Sequence, residues 1–137
     1  MNTISTTESL RASLTAAIES QFLVRAMPTK DGLSIPLWRD DWLEITAAIT
    51  EDENSFWTEA EVSHSSRYRH VPQHSQDRAY VGEWTSCRVS NVSEVWSPEW
   101  GQDGAQIEAS IIQQVCESIT AWLTKCEAEH LIIKTRS

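Results

Sequence analysis

The sequence predicts an α+β fold in which an antiparallel sheet of about five strands carries N- and C-terminal helices on one face. Near both ends of the chain, apolar residues recur every three or four positions, which is the spacing of one helical face. Between these segments apolar and polar residues alternate, which is typical of half-buried strands. The 137 residues fit one domain, 1–137, with residues 130–137 as a tail.

The first helix is predicted near residues 5–27. Its apolar stripe consists of Leu10, Leu14, Ile18 and Phe22. Ser5 and Glu8 have the spacing of a capping box, in which two side chains satisfy N–H groups at the start of a helix. Pro28 then ends the helix, because proline cannot continue the helical hydrogen bonding.

Three strands are predicted next. Residues 33–37 alternate, and Pro36 indicates an edge strand because proline has no N–H to donate. Residues 42–49 and 56–62 flank a polar turn and predict an antiparallel hairpin. One face of the hairpin carries Leu43, Ile45, Ala47, Ile49, Phe56, Thr58, Ala60 and Val62. The other face carries Trp42, Glu44, Thr46, Ala48, Trp57, Glu59 and Glu61.

The second half of the chain is predicted to contain a loop, two further strands and a helix. Residues 64–78 lack periodicity and predict a long loop. Residues 79–96 exceed the length of a typical strand and predict two strands that separate near Ser90-Asn91. The final helix is predicted over residues 104–129. Its buried stripe consists of Ile107, Ile111, Val115, Ile119, Trp122 and Cys126.

Composition excludes several classes of protein. A net charge of −9 opposes nucleic-acid binding, because phosphates would be repelled. The chain has neither an apolar stretch of membrane-spanning length nor the charge pattern of a signal peptide, which predicts a cytoplasmic protein without membrane contact. Cys87, Cys116 and Cys126 lack metal-ligand spacing and are predicted to be reduced thiols of the core.

Tryptophan and acidic residues are concentrated in the predicted hairpin. Seven of the eleven aromatic residues are Trp, and residues 31–61 contain nine acidic residues and one arginine. We therefore predict a docking face for a basic protein, with Trp anchors and a carboxylate rim. Its residues are Trp42, Glu44, Glu51, Asp52, Glu53, Trp57, Glu59 and Glu61. Glu44 is expected to lie nearly opposite Glu61. The alternative is a solvated acidic face whose Trp rings are covered by a neighbouring loop or strand.

Three histidines are the candidate metal ligands. His64, His70 and His74 lie in the predicted loop and could bind zinc, although Pro72 argues against a helix that would bring the last two together. The alternative is a polar loop without a ligand, and no cofactor is expected. No nucleophile or phosphate-binding motif is present, so no catalytic residue is predicted.

Two tryptophans before the final helix could either close the end of the sheet as a plug or form an aromatic slot for a ligand. Trp96 and Trp100 in the segment WSPEWGQDG are expected to close the end of the sheet together with Trp84. A ligand slot formed by the same loop is the alternative.

The leading hypothesis is a non-enzymatic cytosolic inhibitor or immunity-type protein that docks a basic partner. In size, acidity and element order the chain loosely resembles class I type III secretion chaperones, with the His-rich loop in place of their middle helix. That resemblance implies a dimeric chaperone, so a homodimer is an alternative. Further alternatives are a small-ligand or metal-binding protein that uses the segment His64–His74, and a structural protein of a phage or other mobile element.

Overall fold

The fold is a five-stranded antiparallel sheet with two helices, as the sequence predicts. The computed structural model describes residues 5–37, 41–70 and 78–125, and it describes side chains except at 68–70 and 78–81. The elements are α1 (Thr7–Phe22), β1 (Met27–Pro28), β2 (Gly32–Pro36), β3 (Asp41–Asp52), β4 (Ser55–His70), β5 (Arg78–Trp96), a 3-10 turn (Pro98–Trp100) and α2 (Gly104–Lys125). The strands lie side by side in chain order, so each pairs with its sequence neighbour.

Both helices bury their apolar stripes against the same face of the sheet, which we call the inner face. α1 contributes Leu10, Leu14, Ile18 and Phe22, and α2 contributes Ile111, Val115, Cys116, Ile119 and Leu123. The sheet contributes Leu33, Ile35, Leu43, Ile45, Ala47, Ala60 and Val62. Most of the predicted helical stripes are therefore confirmed as core, while Cys126 lies outside the described residues.

Helix α1 starts and ends inside its predicted bounds. The cap is Thr6, whose hydroxyl accepts a 3.1 Å hydrogen bond from the Ser9 N–H while the Ser9 hydroxyl accepts one from the Thr6 N–H. The predicted Ser5–Glu8 box is therefore wrong by one residue. The helix stops at Leu23, which takes a left-handed conformation with φ of 53°, and Pro28 lies in β1 beyond it.

The hairpin of β3 and β4 has the predicted alternation. Thr46 lies opposite Glu61 and Thr50 lies opposite Trp57. Inner positions are buried or part-buried, and outer positions on β3 are exposed or part-buried. Glu44 lies opposite Ser63, so the predicted pairing of Glu44 with Glu61 is wrong. The like charges are thus kept off directly opposed positions, where they would destabilise the sheet.

The predicted loop over residues 64–78 is wrong at its start, because β4 continues to His70. Ser66 and His64 occupy inner positions and are buried, so polar residues stand where the alternation would show apolar ones. Residues 71–77 lie outside the described part of the chain.

The predicted break near Ser90-Asn91 is a bulge within one continuous strand. Val62 pairs with Ser90 whereas the next residue, Ser63, pairs with Arg88, which leaves Val89 without a partner position on β4. An extra residue of this kind reverses which side chains face outward in the remainder of the strand. Residues before Val89 in β5 therefore change face relative to those after it.

The predicted tryptophan plug and the predicted core cysteines are each confirmed only in part. Trp96 is 0% exposed, its indole N–H donates a 2.7 Å hydrogen bond to the Thr58 hydroxyl, and it stacks on Phe56, so it closes the sheet as predicted. Trp100 and Trp84 are 60% and 49% exposed, so neither is part of a plug. Cys116 is buried as predicted, whereas Cys87 is exposed because it lies on the edge strand.

Replacement of Gly32 tests the packing of β2 on β3. A Cβ at this buried glycine would overlap the carbonyl oxygen of Ile45, which is backbone and cannot rotate away. We expect Gly32→Ala to lower the free energy of unfolding by about 3 kcal/mol in urea titrations. Gly101 has φ of +78°, and a Cβ at that position would meet no other atom within 4 Å. Gly101→Ala is therefore the matched control, with a loss of about 1 kcal/mol. Equal losses for the two variants would contradict this packing.

Candidate docking face

The outer face of the sheet is open in the described part of the chain. Both helices pack on the inner face, and no described helix or strand covers the opposite side. Glu44, Thr46, Ala48 and Trp57 are exposed there. No described strand or loop covers the Trp57 ring, whereas Trp42 is part-buried.

A chain of hydrogen bonds fixes the side chains around Trp57. Its indole N–H donates to Glu59 Oε2 at 3.0 Å, and the amide of Asn91 donates to Glu59 Oε1 at 3.2 Å and to Glu61 Oε2 at 3.5 Å. Glu61 also accepts a 3.2 Å hydrogen bond from Arg88 Nε. The two carboxylates are thereby held in place on the surface, while 48% of Trp57 stays exposed.

The Val89 bulge is the reason that Arg88 belongs to this network. Without the extra residue, Arg88 would share the inner face with Ser90 and Val92. With it, Arg88 faces outward opposite Ser63 and reaches Glu61. Sequence periodicity missed this contact, because the bulge changes the alternation within one strand.

Six of the eight predicted docking residues lie in the half of the hairpin that contains its turn. Glu51 and Asp52 end β3 and Glu53 lies in the turn; all three are exposed beyond the pair of Thr50 and Trp57, and Glu51 has inner-face parity because it pairs with Phe56. We call this group the acidic end; it consists of Glu51, Asp52, Glu53, Trp57, Glu59 and Glu61. Trp57 also lines a depression of about 360 Å3 beside β3, and Arg11 and Asp31 line the same depression.

The other two predicted residues, Trp42 and Glu44, lie at the opposite end of β3. Trp42 lies eight positions before Thr50, so Trp42 and Trp57 are about 26 Å apart along the strand, and Glu61, opposite Thr46, lies between them. Trp84 from β5 lies at this second end, where sequence reasoning did not place it. The predicted docking residues are therefore spread along the hairpin, with Trp42 and Trp57 toward its two ends.

His64 belongs to the core and not to a loop. It is 5% exposed, its Nε2 lies 3.0 Å from Asp41 Oδ1, and its ring centroid lies 4.6 Å from that of Trp122. The contact links β4 to both β3 and α2. Among the described residues no group of three or more His, Cys, Asp or Glu is arranged to hold a metal ion. His70 lies at the end of β4 without a described side chain, and His74 lies outside the described residues.

Comparison with known proteins gives no relative from which a function could be transferred. No family model, no curated protein and no solved structure matches the chain. The resemblance to secretion chaperones therefore gains no support from these comparisons. None of the described helices is both long and apolar enough to cross a membrane.

The two described cysteines differ in environment and should differ in reactivity. Burial raises the pKa of the Cys116 thiol, and the neighbouring Glu117 carboxylate raises it further, so less of the reactive thiolate forms near pH 8. In a Cys126→Ser background, we expect an aromatic disulfide reagent to modify Cys87 rapidly and Cys116 only after unfolding. Rapid modification of both thiols in the native protein would contradict the buried position of Cys116.

Proposed function

We propose that the chain is a non-enzymatic binding module of the inhibitor or immunity type, which docks a basic protein through the acidic end. The observation that carries the proposal is the position of Trp57. Its half-exposed ring is hydrogen-bonded to Glu59 within a group of five acidic side chains. Of these five, Glu61 alone forms an ion pair with a described cation, Arg88.

The chemistry of this group suits protein recognition. Tryptophan is among the residues that most often dominate binding energy, because a large rigid ring buries much apolar area with little loss of side-chain entropy. Carboxylates around the ring accelerate encounter with a basic surface. Since Glu59 and Glu61 are already held by Asn91, little additional ordering is required on binding.

The open sheet face suits this role. A standard interface covers about 800 Å2 on each partner. An antiparallel sheet can leave one face uncovered, so a partner can dock there without any rearrangement of the backbone.

Binding is favoured over acid–base catalysis for the same carboxylates. Glu59 and Glu61 lie side by side on one strand, but they stand on an open sheet face and accept hydrogen bonds from Trp57, Asn91 and Arg88. A catalytic carboxyl pair works in a cleft that removes one group from water. The arrangement around Trp57 holds both groups at the surface instead.

The proposal predicts capture that depends on charge at the acidic end. The protein is immobilised and exposed to an extract of its native cells, and retained proteins are identified by mass spectrometry. We expect a basic partner whose retention falls at least tenfold for Glu59→Gln with Glu61→Gln, and similarly for Trp57→Ala, because anchor and rim are removed. Retention should also fall as salt is raised.

The control variant removes two negative charges, as Glu59→Gln with Glu61→Gln does, but from exposed positions on the helices. Glu8→Gln with Glu117→Gln should retain the partner like the wild-type protein, and all variants should keep the wild-type melting temperature. Equal retention by the two double variants, or a partner that is acidic, would overturn the proposed function.

A further inference from the structure

The second end of the outer face contains a depression between two tryptophan rings. Trp42 on β3 pairs with Ser65 on β4, which pairs with Ser86 on β5, and the two serine hydroxyls lie 3.3 Å apart. Trp84 lies two residues before Ser86 in the chain, at a second irregularity of the β4–β5 pairing, and lines the same depression as Trp42 and Ser65. Small side chains therefore lie between large ones, which leaves a depression of about 410 Å3 lined by Ser34, Trp42, Glu44, Ser65 and Trp84. We call these five residues the aromatic end.

One carboxylate that lines this depression has no polar contact with the described residues. Glu44 is exposed and makes neither a hydrogen bond nor an ion pair with any described residue. This differs from Glu59 and Glu61, both of which have polar partners. A negative charge beside two aromatic faces favours a cation, because the π face of an indole ring is itself negative.

The structure already contains one guanidinium on one of these rings. The Cζ atom of Arg67 lies 5.0 Å from the centroid of Trp84, within the distance at which cation–π attraction is significant. Arg67 is not among the described residues that line the depression. Trp84 is therefore a ring that already accepts a guanidinium within this fold.

We propose that the aromatic end binds an arginine side chain of the basic partner. This inference rests on the proposed function, since it names the side chain that the second end of the outer face would receive. Trp42 and Trp84 both line the depression beside Glu44, so a guanidinium that enters it can contact the two rings and the carboxylate. Arginine fits better than lysine because its planar group stacks on indole and bonds a carboxylate through two N–H groups.

The distance between the two ends also constrains the partner. Trp42 at the aromatic end and Trp57 at the acidic end are about 26 Å apart, which is the length of about eight extended residues, whereas Glu61 lies opposite Thr46, only two residues along β3 from Glu44. One partner that contacts both tryptophans needs a contact surface of at least this length. Its arginine would dock at Glu44 while other basic groups lie against the carboxylates near Trp57.

A short peptide tests the arginine site without the partner. The probe is acetyl-Gly-Arg-Gly-amide, and the control peptide carries citrulline, which has nearly the shape of arginine but no charge. The indole N–H signals of the seven Trp are followed by NMR. The variants Trp42→Phe and Trp84→Phe identify the signals of Trp42 and Trp84. We expect these two signals to shift with a Kd on the order of 1 mM for the arginine peptide, and to stay in place with citrulline.

Charge variants make the test specific for Glu44. Glu44→Gln should raise the Kd of the arginine peptide about fivefold, since an exposed charge pair contributes about 1 kcal/mol at most. The matched control Glu117→Gln, on the surface of α2, should bind the peptide like the wild-type protein. Equal shifts with both peptides, no shift with arginine, or unchanged affinity in Glu44→Gln would each overturn the arginine site.

The peptide test and the capture experiment fail in different ways. If the peptide does not bind while partner capture still depends on Glu59 and Glu61, the arginine site is wrong and docking through the acidic end stands. If the peptide binds at Trp42 and Trp84 while capture is indifferent to the acidic end, the proposed function is wrong.

Discussion

The burial of one face of the β3–β4 hairpin against both helices determines the rest of the molecule. Leu43, Ile45 and Val62 are removed from water by the stripes of α1 and α2, and apolar burial of this kind is the main favourable term in folding. Because successive strand residues point to opposite sides, every residue between these core positions must face outward. The exposed position of Trp57, Glu59 and Glu61 is thus a direct consequence of core packing.

The contacts of His64 inside the core allow the alternation of buried and outward-facing residues to continue toward the far end of the hairpin. His64 occupies an inner position that an apolar residue would otherwise fill, and its contacts with Asp41 and Trp122 provide polar and aromatic partners for the buried ring. Buried polar groups are tolerated when they are hydrogen-bonded. β4 can therefore continue through residues whose composition suggests a loop, and the outer face becomes long enough to hold Trp42 and Trp57 about 26 Å apart.

The sequence predicts the parts of this structure that follow a regular period. The stripe of α1 and the alternation of β3 each repeat without interruption, so both are found where expected. Two features escape prediction because they depend on pairing between distant residues. The strand at His64 cannot be recognised from the sequence, because a histidine at a buried position is accommodated only by its contact with the distant Asp41. The Val89 bulge reverses the faces of β5 without any change in composition. That reversal brings Trp84 to the outer face, where it lines the depression with Trp42.

Docking on the outer face requires that this face is open and that its tryptophans are available to a partner. Hydroxyl-radical footprinting of the isolated protein measures this directly, since the rate of indole oxidation follows exposure to solvent. Trp57 and Trp84, at 48% and 49% exposure, should be oxidised many times faster than the fully buried Trp96. If Trp57 and Trp84 are as protected as Trp96, the outer face is covered and the account is contradicted.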